Sequence, residues 1–68
     1  MHLPIETELE EDGRWIGAVP SLPGVLVYAP TREAAAAKAK ALALRVIADR
    51  LDNGEMQEEA LSITFIAA

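Results

Sequence analysis

One stretch decides the fold: Glu11-Asp12-Gly13-Arg14-Trp15-Ile16-Gly17-Ala18-Val19-Pro20-Ser21-Leu22-Pro23-Gly24. It opens on a turn signal, runs on as a short apolar strand from Arg14 to Val19, and closes on a rigid loop of prolines and a glycine. The turn has two readings, and they put Trp15 on opposite faces of a sheet. A two-residue Asp12-Gly13 turn pairs Glu11 with Arg14 and Leu9 with Ile16. Trp15 then shares a face with Glu8 and Glu10. A three-residue turn over Glu11, Asp12 and Gly13, with Gly13 left-handed in a bulge, pairs Glu10 with Arg14 and Leu9 with Trp15. The second reading is preferred. It sets opposite charges across the strands and buries the largest side chain with Ile5, Thr7 and Leu9.

Upstream, residues 3–10 alternate. Leu3, Ile5, Thr7 and Leu9 point one way; Pro4, Glu6, Glu8 and Glu10 point the other, as in a half-buried strand. Downstream, Val25 to Ala29 is a third strand, stopped by Pro30. Thr31 is a good helix N-cap, and Glu33 suits the positive end of the first turn. The helix is expected from Arg32 to about Asp52, with Asn53-Gly54 as its stop. Residues 55–60 form an acidic connector. Leu61, Ile63 and Phe65 alternate with Ser62, Thr64 and Ile66 as a fourth strand. The order β-β-β-α-β makes an α+β fold, a single domain over residues 1–68.

A chain of 68 residues buries only about 60% of its unfolded surface, so its core is marginal. Cysteine is absent, which excludes disulfides and thiolate metal sites. The single histidine, His2, is expected at a frayed start, so a histidine cage is excluded as well. Oligomerisation is the remaining common staple. At 51% hydrophobic the chain is too apolar for disorder. With three aromatics, Trp15, Tyr28 and Phe65, its core is expected to be aliphatic. The first residues lack the pattern of a secretory signal, and no run approaches the ~20 apolar residues of a membrane span. A cytoplasmic location is expected.

The net charge of −5 is unevenly spread. Residues 1–13 hold five acids and no base, whereas residues 31–51 hold five bases against Glu33 and Asp49. An acidic chain repels a phosphate backbone and attracts a basic protein. The plainer reading is that acidity keeps a small protein soluble.

The helix carries two apolar stripes. Ala35, Ala36, Ala39, Leu42, Ala43, Val46 and Ile47 fall in one arc, wide enough to cover a sheet. Ala34, Ala37, Ala41, Leu44 and Ala48 line up on the far side, at the spacing of a seam between helices. Alanine is also the best helix former and reaches solvent faces without purpose. The stripe is taken as an oligomer interface, so self-association through it or through the sheet is expected.

Catalytic patterns are lacking. No serine or threonine has a histidine base in a plausible motif. None of the glycines forms a phosphate loop or a dinucleotide fingerprint. Glu6, Glu8 and Glu10 share a strand face, but metal and acid–base sites collect ligands from several elements in a concave pocket. A solvated acidic face is the better reading. The helix bases are spread over both its faces without interleaved aromatics, so nucleic-acid binding is not expected.

The quoted stretch, with the short strand and the Thr31-Arg32-Glu33-Ala34-Ala35 helix start that follow, resembles the HicB family of antitoxins. That family reads D-G-x-W, a hydrophobic strand, P-x-L-P-G, a short strand, and T-x-E-E-A on a helix. Asp12, Gly13, Trp15, Pro20, Leu22, Pro23, Gly24, Thr31, Glu33 and Ala35 fit, and the resemblance covers about residues 3–54. It implies an incomplete RNase H-like sheet with one helix packed on it and no nuclease activity. It further implies a partner: a small basic HicA-type RNase toxin that cleaves mRNA, whose catalytic histidine the antitoxin covers. Many relatives add a carboxy-terminal DNA-binding domain. This chain ends at Ala68 and is expected to be a short form without it.

The expectation is therefore a non-enzymatic protein–protein interaction module of a toxin–antitoxin system. It has no cofactor and no metal, and Glu6, Glu8 and Glu10 form its partner-binding face. The alternative is an orphan oligomerising protein with no cognate toxin.

Overall fold

The computed structural model describes residues 1–56 and 62–67. Its elements are β1 (His2–Leu9), β2 (Trp15–Ala18), β3 (Leu26–Ala29), α1 (Arg32–Asp52) and β4 (Thr64–Ala67). The strands form one sheet in the order β3-β2-β1-β4. β1, β2 and β3 are successively antiparallel, and β4 returns parallel to β1 after the helix. The fold is thus α+β, a four-stranded mixed sheet with one helix, as the element order predicts.

The turn takes its three-residue form. Leu9 opposes Trp15 and Thr7 opposes Gly17. The Glu10 amide donates to the Arg14 carbonyl at 2.7 Å and the Gly13 amide to the Glu10 carbonyl at 3.0 Å. Gly13 sits at φ 89°, the left-handed region that a side chain resists. The register puts Leu3, Ile5, Trp15, Gly17, Val27 and Ala29 under the helix. α1 packs on β1, β2 and β3, burying Ala35, Ala39, Ala43 and Ile47. Ala39, Ala43 and Ile47 join Leu3, Ile5, Val19, Leu22 and Val25 in an aliphatic core. Leu22 reaches it because the Pro20–Gly24 loop folds back, its amide donating to the Val19 carbonyl at 2.9 Å.

Helix and sheet approach closely at Gly17. A Cβ there would lie 2.8 Å from the Ala35 carbonyl carbon and 3.2 Å from its Cβ. The pairing of Gly17 with Ala35 is what lets a helix of alanines sit down on the sheet. Thr31 caps the helix, its Oγ1 accepting from the Ala34 amide at 3.1 Å. At the other end the Gly54 amide donates to the Leu51 carbonyl and that of Glu55 to the Arg50 carbonyl, with Gly54 at φ 70°. That is a Schellman stop, satisfying carbonyls the helix leaves over.

Several details depart from the sequence reading. His2 is not frayed: it lies in β1 opposite Thr64. The Thr64 amide donates to the Met1 carbonyl at 2.8 Å, and the Met1 ammonium to the Ser62 carbonyl at 2.6 Å. β1 is divided between two neighbours: His2–Ile5 pairs with β4 and Glu6–Leu9 with β2. Arg14 forms its ion pair with Asp12, at 2.7 Å, and not across the strands with Glu10. Trp15 is half-buried and Leu9 is 55% exposed. Glu10 follows the end of β1, in the turn. The fourth strand begins at Thr64, and most of the acidic connector, residues 57–60, with Leu61, lies outside the described residues. Among the described residues no helix is long and apolar enough to cross a membrane.

Candidate functional site: the open face of the sheet

Strand alternation fixes what faces away from the helix. On β1 these are Pro4, Glu6 and Glu8; on β2, Ile16 and Ala18; on β3, Leu26 and Tyr28; on β4, Ile66. The register aligns Glu8, Ile16 and Tyr28 in one row across the strands, and Glu6, Ala18 and Leu26 in the next. Carboxylates therefore border an apolar patch. Leu26 is 52% exposed, Tyr28 39% and Ile66 44%. A depression of about 470 Å³ runs between Glu6, Glu8, Ile16, Ala18 and Leu26. Large exposed apolar residues side by side on a sheet mark a surface built for contact, whereas scattered ones do not.

The rim at the turn is pre-arranged. The Arg14 guanidinium lies 4.3 Å from the centre of the Tyr28 ring. Its Nε donates to Asp12 Oδ2 at 2.7 Å, while its backbone amide donates to Asp12 Oδ1 at 3.0 Å. These bonds from Arg14, backbone first, hold the Asp12 carboxyl below its ordinary value. Arg14 is thus spent on Asp12 and Tyr28, which leaves the charge of Glu6 and Glu8 uncompensated from that side. On the free edge of β3, Lys38 donates to the Tyr28 carbonyl at 2.7 Å. That closes one of the bonding positions an edge strand otherwise offers to other chains.

The expected acidic face is brought together in part. Glu6 and Glu8 share the open face and are exposed; Glu10 stands apart beside Glu11 and Asp12. The apolar half, Ile16, Leu26 and Tyr28, was not singled out from the sequence. The signal was present: once the three-residue turn puts Trp15 under the helix, Ile16 must face out, and its pairing carries Tyr28 with it. Among the described residues no three histidine, cysteine or acidic side chains converge as a metal site would require. On the helix, Ala37, Ala41, Leu44 and Ala48 are exposed and Ala34 is half-buried. The outer stripe therefore faces solvent, with Leu44 48% exposed.

No family model, no curated protein and no solved structure matches this chain.

Proposed function

We propose that this chain is a protein-binding module of the HicB-like antitoxin kind, which occupies and silences a small basic HicA-type RNase in the cytoplasm and carries out no chemistry itself. The observation that carries this reading is the open sheet face, where Glu6 and Glu8 flank exposed Leu26 and Tyr28. Apolar centre and acidic border are the complement of a basic protein surface: burial of the centre supplies affinity, and the charges supply encounter rate and register. The strand order β3-β2-β1-β4, with β4 parallel to β1, is also what the start of an RNase H-like sheet requires. The D-G-x-W and P-x-L-P-G residues stand at the turn and loop that set this arrangement.

Co-expression with a short basic RNase encoded next to it tests the reading. Growth arrest by the neighbour should be relieved by this chain and not by its Glu6→Lys/Glu8→Lys variant. If the unaltered chain gives no relief, the antitoxin reading fails.

A second reading rests on the solvent-facing stripe of Ala37, Ala41, Leu44 and Ala48. In it the chain is an orphan oligomer whose contact is helix against helix. Small residues at such spacing allow close approach. A strict monomer by light scattering at high micromolar concentration would remove this reading and leave the first intact.

A further inference from the structure

The helix does not cover its side of the sheet evenly. α1 packs on β1, β2 and β3, and along its flank toward β4 a groove of about 350 Å³ stays open. One wall is a helical row, Arg32, Ala36 and Lys40; the floor is Ile5 and Thr7; the far wall is Phe65 of β4. A volume of this size lies at the small end of the range for ligand sites, ~300–1,000 Å³.

The charge of this groove runs against that of the molecule. The chain has eleven acids and six bases, yet among the described residues two of the bases line the groove and none of the acids does. Arg32 and Lys40 stand two helical turns apart, about 12 Å along the axis. Ala36 between them is too small to fill the space. Among the described residues the ion pair formed is Arg14–Asp12, so neither groove cation is neutralised by a carboxylate there. Arg32 is also held in place: its guanidinium lies 4.8 Å from the centre of the Trp15 ring. A cation already stacked on an aromatic loses less freedom when it binds, and its planar fork matches a carboxylate. Apolar floor, hydroxyl and two cations together describe an anion with a greasy body.

We propose that this groove binds a single-chain amphipathic carboxylate. Its alkyl body lies along Ile5, Ala36 and Phe65, and its carboxylate is held by the positive field that Arg32 and Lys40 set up at the two ends of the helical row, with the Thr7 hydroxyl as a further donor. The site is independent of the open face, which has the opposite charge and lies on the other side of the sheet.

The test is an NMR titration of the whole chain with decanoate, kept below the concentration at which it forms micelles. Decanol and decyltrimethylammonium serve as controls. Saturable shifts at Ile5, Thr7, Ala36 and Phe65 are expected with decanoate. The Arg32→Gln/Lys40→Gln variant, altered at two exposed positions and checked for fold by circular dichroism, should bind about tenfold more weakly, as loss of charge-assisted hydrogen bonds predicts. Lys40→Glu, which leaves the helix cap untouched, should likewise weaken decanoate and spare decanol. Equal shifts with the cationic amphiphile, shifts centred on Leu26 and Tyr28, or undiminished binding by both variants would each overturn the proposal.

Discussion

Gly17 and Gly13 are both glycines on the helix-and-turn side of the same hairpin, and they are required for different physical reasons. At Gly17 the backbone is ordinary and the space is not: an added methyl would press on the Ala35 carbonyl. At Gly13 nothing lies within 4 Å, but φ is 89°. Gly17→Ala must therefore push the helix off the sheet, whereas Gly13→Ala only strains the turn. The expected losses are about 1–3 kcal/mol, or failure to fold, for the first and about 1–2 kcal/mol for the second. Urea denaturation separates them, since only the first should also disturb the amide signals of α1. Asp12 makes a prediction of its own. Its carboxyl is held low by Arg14, so the ionised form is favoured in the folded state. The contribution to stability is present above the unfolded value, ~3.9, and is lost as pH falls through the lowered folded value. A carbon-detected titration should find the Asp12 midpoint below the ordinary aspartate value; a midpoint at the ordinary value would mean the Arg14 pairing does not persist in solution.

At the level of elements, the helix was the most legible part, because its ends are written chemically. Thr31 has an oxygen to offer the Ala34 amide and Gly54 tolerates the left-handed turn. Between them the buried positions follow the apolar arc. Thr31→Ala should cost about 1 kcal/mol, and Ile47→Ala, which empties a fully buried site, about 2–5 kcal/mol; thermal melts give both. The hairpin register was legible too, through Gly13 and the demand that Trp15 leave the glutamate face. The lengths of the strands and their neighbours were not. β1 alternates without a break from Leu3 to Glu10, so nothing local marks which part of it, among the described residues, lies beside β4 (to Ile5) and which beside β2 (from Glu6). The exposure of Leu9 follows from the same cause. Ile5 has Ala67 next to it on the outer side, whereas four residues on, Leu9 has no described β4 residue opposite. The apolar alternation predicts burial only where a neighbouring strand continues the layer.

Over the whole molecule, charge is sorted by face. The open face carries Glu6 and Glu8 with an apolar patch, and the opposite side carries Arg32 and Lys40 beside a groove. This sorting was legible only as a linear imbalance, acidic ahead of the hairpin and basic within the helix. The topology turns the two segments to opposite sides of one sheet. Association with a basic partner through the open face should be fast at low salt and slow markedly as salt rises, because exposed charges act over about a Debye length. Stopped-flow measurement of the association rate against ionic strength checks this. A flat dependence would place the contact away from Glu6 and Glu8. Self-association through the helix, in contrast, should survive salt and yield to Leu44→Glu, read as a fall in mass by light scattering.

The division of β1 has a consequence during synthesis. Its Glu6–Leu9 half finds β2 within a few residues of leaving the ribosome, by a turn that closes on the microsecond scale. The His2–Ile5 half must wait for Thr64–Ala67, about sixty positions later in translation. At elongation rates of about 5–20 residues per second, that wait lasts some seconds. Throughout it the nascent chain presents a ready-made docking strand. Pro4, which has no amide hydrogen, stands in the middle of that strand and makes it a poor template for a neighbouring nascent chain on the same message.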